Sequence, residues 1–297
     1  MTILTEELAE KIKRIEITAR HLVTDSLAGE YHSVFKGMGM EFDEMRPYSP
    51  GDDVRRIDWN VTARMNTPYI RKYQEERELT VFLAVDASGS SDFGTTGQFK
   101  RELAAELAAV LSFAATTNND KVGLLIFTDK PELIVPPRKG KRHVLRMVRD
   151  LLVFTPEGRG TSIESALDTI NRVVKRRSIT FLISDFLVEP ESLRRPLAAT
   201  NRRHDVIALD LHDPMEHQIP DVGLMALEDA ETGELEWVDT SNKAWREAFE
   251  ARTLDLEQQK RRLLSSLAID HIQISTDKDY VVELNEFFAR RSSRRAR

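Results

Sequence analysis

From Leu79 onward the chain alternates between short, nearly unbroken apolar runs and longer stretches whose apolar positions recur every three or four residues. The runs 79–85, 122–128, 179–184, 206–211 and 272–275 are rich in Val, Ile, Leu and Phe, the composition of strands buried on both faces. Between them the spacing predicts helices near 98–117, 140–153, 162–176, 190–202, 241–267 and 279–291. Strand and helix alternating in this way predict an α/β fold, with a mostly parallel sheet and helices on both faces. The stretch LMALEDAETGELEWVD breaks the alternation with two short runs around Glu231-Thr232-Gly233, the pattern of an inserted β-hairpin.

Ahead of the first strand the pattern is looser. Leu8, Ile12, Ile15 and Leu22 fall at helical spacing between Thr5 and Leu27, which predicts an amphipathic helix packed on the main domain. Residues 28–78 are irregular and carry GMGMEFDEMRPYSPGDD. Val54, Ile57, Val61 and Met65 then predict a short helix, with Asp52 or Asp53 placed to cap it. Three regions follow from this reading: an N-terminal helical and irregular segment over 1–75, the α/β domain over 76–291, and a basic tail over 292–297.

Composition narrows the function. A chain of 297 residues with 41% apolar side chains can bury a large core and still carry an appended segment. It has no cysteine, so neither disulfides nor thiolate metal sites are available. A net charge of −6 argues against nucleic-acid binding by the body of the protein. The closing RRSSRRAR, with five arginines in eight residues, reads as a solvated chain end. No window has the apolar core of a signal peptide or the roughly 20 apolar residues of a membrane span. A soluble cytoplasmic protein without a transmembrane segment is therefore expected.

In open parallel sheets, functional groups gather beyond the carboxyl ends of the strands. Three segments bring oxygen donors to that edge: Asp86-Ala87-Ser88-Gly89-Ser90 after the first strand, Gly158-Arg159-Gly160-Thr161-Ser162 before a helix, and Ser184-Asp185 after SITFLI. Two carboxylates with neutral hydroxyls suit a hard cation such as Mg²⁺ or Mn²⁺. Each residue also has a purely structural reading. Thr161 with Glu164 makes a capping box, Ser90 or Ser91 is placed to cap the next helix, and Asp185 is placed to close a turn.

The order Asp-x-Ser-x-Ser, then a threonine in a glycine-rich loop, then an aspartate after a later strand resembles the metal-ion-dependent adhesion site of von Willebrand factor A domains. The matching residues are Asp86, Ser88, Ser90, Thr161 and Asp185. The resemblance implies a Rossmann-like von Willebrand A fold. In it the three hydroxyls ligate Mg²⁺ (or Mn²⁺ or Ca²⁺), and the two aspartates hold the ion directly or through water. A longer stretch resembles the bacterial domain of unknown function 58 family. It is carried by Phe42, Arg46, Tyr48, Pro50, Gly51, Asp52, Arg55, Asp58, Trp59, Ala63 and Arg64, and the closing STDKDYVVELNEFFARR also fits. Members of that family are von Willebrand A-like proteins often encoded beside MoxR-type AAA+ ATPases, and many carry membrane helices ahead of this segment. The resemblance implies an adaptor that binds an acidic residue of a partner through a divalent ion, with such an ATPase as partner.

Other readings compete. Arg55, Arg56, Trp59 and Arg64 form either a partner-docking surface, since arginine and tryptophan anchor interfaces, or a salt-bridged helix with Trp59 packed on the sheet. His212 and His217, with Asp213 and Glu216, lack the helical i, i+4 histidine pair and third ligand of a zinc site. A dehalogenase-type phosphatase needs an aspartate where Ser88 stands. No Gly-x-Ser-x-Gly elbow and no phosphate-binding loop occurs. A metal-dependent hydrolase or phosphatase remains the alternative, but no general base is evident beside the ligands. A non-catalytic binding protein is the expectation.

Overall fold

In a computed structural model of the chain, six strands form one sheet in the order β5-β4-β3-β6-β7-β10. They are β3 (Thr80–Asp86), β4 (Lys121–Phe127), β5 (Pro131–Arg138), β6 (Ile179–Ser184), β7 (Asp205–His212) and β10 (Asp270–Ser275). All neighbours pair in parallel except β5, which runs antiparallel to β4. The structure describes residues 6–23, 31, 34–35, 44–49, 52, 54, 57, 59–65, 67–72, 79–95 and 98–295. The mostly parallel sheet with helices on both faces predicted from the sequence is the architecture observed.

The central strand β3 shows why the apolar runs are unbroken. Val81, Leu83 and Val85 enter one core, while Phe82 and Ala84 enter the other. The first core is closed by α1 (Glu6–Leu22), α3 (Lys100–Thr117), α4 (Lys141–Val153) and α8 (Tyr280–Arg295). The second is closed by α5 (Ile163–Val173), α6 (Pro190–Arg203) and α7 (Lys243–Ser266). Ile15 and Ala19 of α1 are buried in the first core, so the N-terminal helix lies on the α/β body.

Two strands, β1 (Glu44–Pro47) and β2 (Tyr69–Lys72), pair antiparallel ahead of the sheet. Between them α2 covers only Trp59–Met65, about half the helix predicted. Asp52 does not cap it: its carboxylate takes the Ser49 amide at 2.9 Å and pairs with Arg46 at 2.7 Å. Asp53 lies outside the described residues. Val54 and Met65 are exposed while Ile57 and Val61 are partly buried, so the stripe is not continuous with either core among the described residues.

The predicted hairpin is present as β8 (Leu224–Glu228) and β9 (Leu235–Asp239), with Gly233 at φ +74° in its turn. The sequence did not announce β5: PELIVPPR carries three prolines, which sheets tolerate at an edge. The basic end differs from the solvated tail predicted. Helix α8 runs to Arg295, and the buried Arg291 pairs with Asp205 and, at 3.1 Å, with Asp270.

Candidate cation site at the carboxyl edge of the sheet

From β3 the chain moves outward through β4 and β5, then returns to β6 on the other side of β3. The carboxyl ends of β3 and β6 therefore flank a topological switch point, where doubly wound sheets open a crevice. Asp86 ends β3, and Ser184-Asp185 ends β6.

Asp86 is 5% exposed. One carboxylate oxygen accepts the Ser88 amide at 2.9 Å, which turns the chain sharply, and the other accepts the Ser184 hydroxyl at 2.6 Å. The turn sets the Ser88 and Ser90 hydroxyls 3.2 Å apart. Ser91 donates to the Ser88 carbonyl at 2.7 Å and locks the loop. Burial, then the neighbouring charge of Asp185, push the Asp86 carboxyl up to about 6, against hydrogen bonds from Ser184 and Ser88 that favour its charged form.

Asp185 has a countercharge of its own. Lys100, the first residue of α3, is 1% exposed and donates to the Asp185 carboxylate at 2.7 Å and to Glu216 at 2.5 Å. Burial alone would lower the lysine, but the charges of Asp185 and Glu216 outweigh it and raise it above its ordinary value. Glu216 is raised, first by burial, against the pull of Lys100. Sequence reasoning passed over Lys100, and it named Ser184 only as the neighbour of Asp185 and Glu216 only in the histidine cluster. The signal for Lys100 was available: it shares a helical face with Leu103, Ala104, Leu107 and Leu111, and a lysine on an apolar stripe needs a buried partner.

Thr161 comes close through the backbone. The Gly89 amide donates to the Arg159 carbonyl at 2.8 Å, and Ser162 donates to the Thr128 carbonyl at 2.9 Å. Thr161 does not cap α5, because Ser162 does so by accepting the Ser165 amide at 3.3 Å. The Thr161 hydroxyl makes no hydrogen bond among the described residues. Asp86, Ser88, Ser90 and Asp185 are thus drawn together directly, while Thr161 stands on the adjoining loop.

Gly89 is fixed by close approach. A methyl group there would lie 2.1 Å from the Ala230 carbonyl oxygen at the hairpin tip. The hairpin therefore leans on the Asp86–Ser90 turn.

Of the predicted docking residues, Trp59 is 69% exposed and Arg64 is exposed, so Trp59 does not pack on the sheet. Arg55 and Arg56 lie outside the described residues. Asp213 is structural: it caps the turn Pro214–Glu216 and accepts from Thr95 and Thr276. Among the described residues no group of three or more histidines and carboxylates is placed to hold a metal ion, so a cation at the sheet edge would depend on hydroxyl donors.

The family model described as Protein of unknown function DUF58 matches residues 44–260, which span both edge loops, Asp185 and the hairpin. The chain belongs to this family. An uncharacterized protein of Mycobacterium tuberculosis, Rv1480, and one of Mycobacterium bovis, Mb1516, are each 34% identical to this DUF58 protein. Both matches run over 287 residues, 96% of this chain and 90% of the relative. A crystal structure of an aerotolerance-related membrane protein from Bacteroides fragilis, carrying multiple mutations to serines, superposes with a TM-score of 0.51 at 16% identity. It covers 71% of this chain and 99% of its own, a likeness of fold. Among the described residues of the DUF58 protein no helix is long and apolar enough to cross a membrane.

Proposed function

We propose that this DUF58 protein is a protein-binding adaptor whose sheet-edge site holds a divalent cation and, through it, a carboxylate of a second protein. The observation that carries the reading is the convergence of Asp86, Ser88 and Ser90 with Asp185 at the switch point. The donor set fits a hard cation. Among the described residues, Asp86 is a buried carboxylate with hydroxyl neighbours and no lysine or arginine bonded to it, and the Thr161 hydroxyl is uncommitted. Lys100 neutralises Asp185, which favours a supporting role for that aspartate through water. A bound Mg²⁺, or Mn²⁺ or Ca²⁺ by the same oxygen chemistry, supplies an electrophile with an open position. With Lys100 offsetting one of the two aspartates, the site stays attractive to an outside carboxylate.

The MoxR-type AAA+ ATPase as partner rests on the family resemblance, and a cytoplasmic setting rests on the sequence windows, none of which has a signal-peptide or membrane-span pattern. The test is retention of a purified MoxR-type ATPase on the immobilised full chain, with Mg²⁺ and with EDTA. Retention is expected with Mg²⁺ and at least tenfold less with EDTA or with Asp86→Ala. Retention that survives both treatments would overturn the cation bridge.

A further inference from the structure

The two edges of the sheet carry surfaces of opposite charge. At the amino edge β6 and β7 start side by side, and the Asp205 amide donates to the Ser178 carbonyl at 2.8 Å, so the loop after α5 abuts the end of α6. The two segments read VKRRS and NRRH and expose Lys175, Arg176, Arg177, Arg202 and Arg203. Burial, then the charges of Arg203 and Arg177, push the His204 imidazole down to about 4, so arginines of both segments act on one point. The neighbouring Asp205 is held by Arg291, and none of the five cations makes an ion pair among the described residues. A cation or two offsets the negative ends of α5 and α6. Five exceed that need.

At the carboxyl edge the hairpin β8–β9 carries Glu228, Asp229, Glu231, Glu234, Glu236 and Asp239 and no lysine or arginine. All six acids are exposed. Asp229 and Asp239 accept amides of their own turns, and none of the six has an ion pair among the described residues. Arg159 approaches Gly233 from the adjoining loop, one charge against six. By the pairing register Leu224, Leu235 and Trp237 share one face of the ribbon, and they are 68%, 65% and 67% exposed. Carboxylates around an indole suit guanidinium groups, which pair with carboxylates in a fork and stack on aromatic faces. Four of the five cations at the amino edge are arginines. The hairpin tip rests on the Asp86–Ser90 turn, and the six residues of β6 alone span roughly 20 Å. The two surfaces therefore cannot meet within one chain.

We infer that the hairpin of one copy docks on the amino edge of a second copy, its carboxylates against the five cations and Trp237 against a guanidinium. The contact joins unlike surfaces, so it is heterologous and repeats from copy to copy. Neither the divalent cation nor Asp86 takes part in it. Exposed ion pairs are individually weak and screened by salt, so the assembly forms at low ionic strength and dissolves at high.

Sedimentation equilibrium of the full chain in EDTA tests this. In about 50 mM NaCl the mean mass is expected to rise with protein concentration above that of one chain, and in about 500 mM NaCl to return to it. Arg176→Glu with Arg202→Glu, and separately Glu234→Arg with Glu236→Arg, are each expected to give monomers at low salt with the melting temperature kept. Each variant retains the surface the other has lost, so an equimolar mixture of the two is expected to associate again, which a loss of folding would not allow. Trp237→Ala is expected to weaken association about fivefold or more. Asp86→Asn leaves it unchanged, so failure of the cation bridge and failure of this contact are read separately. A wild-type monomer at low salt, association that survives either charge reversal, or a mixture that stays monomeric would overturn the inference. A wild-type monomer retained on heparin through Arg176 and Arg202 would give the amino edge to an outside polyanion instead.

Discussion

Asp86 and Lys100 are both buried charges, and the difference between them is their partners. Lys100 has two carboxylates, whereas among the described residues Asp86 has only hydroxyl and amide donors beside the charge of Asp185. The Asp86 carboxyl therefore sits at about 6 in the folded protein, above the ordinary 3.8. A carboxyl raised on folding holds its proton more tightly in the native state. Its contribution to stability is present below about pH 4 and is lost as pH rises through about 6. In EDTA, the stability of the wild type relative to Asp86→Asn is expected to fall by about 3 kcal/mol between pH 4 and pH 7. Urea melts at four pH values measure this, and a flat difference would contradict it. Lys100→Met leaves Asp185 and Glu216 buried without a countercharge and is expected to cost about 3–5 kcal/mol in the same assay. Lys130→Met, which breaks an exposed pair with Glu157, should be silent.

At the scale of elements, the hairpin β8–β9 is the piece set most directly over the site. Its outer face leaves Leu224, Leu235 and Trp237 exposed, and a two-stranded ribbon is only marginally stable by itself. Its contact with Gly89 is backbone against backbone, so an added methyl group has no flexible side chain to push aside. Gly89→Ala is expected to cost about 1–3 kcal/mol as an overpacking change and to make the turn 229–234 more sensitive to limited proteolysis. Unchanged cleavage would show that the hairpin does not lean on the loop. The parallel strands and the hairpin were legible in the sequence because an apolar run, or a turn glycine between two short runs, has one structural meaning. Strand β5 was not, since its prolines argue against a strand and only its edge position allows one. The stripe Val54, Ile57, Val61 and Met65 had the right period, but Val54 and Met65 at its ends are exposed and the helix there begins only at Trp59.

For the whole molecule, the doubly wound order decides where chemistry can gather. The loops after β3 and β6 meet only because the chain reverses direction between these strands. The sequence shows the loops, and the strand order shows that they share one crevice. The apolar face on which Lys100 lies signals a buried partner, but only the strand order shows that Asp185 and Glu216 are that partner. Asp185 lines both the sheet-edge crevice and a larger cavity beside α7, so the buried ion pair with Lys100 stands between them. The most direct measurement of the central claim is a calorimetric titration of the metal-free full chain with Mg²⁺ at pH 7.5, alongside Asp86→Ala and Thr161→Ala. One ion per chain is expected for the wild type, no measurable binding for Asp86→Ala, and binding weakened about tenfold or more for Thr161→Ala. Wild-type heats indistinguishable from those of Asp86→Ala would contradict it.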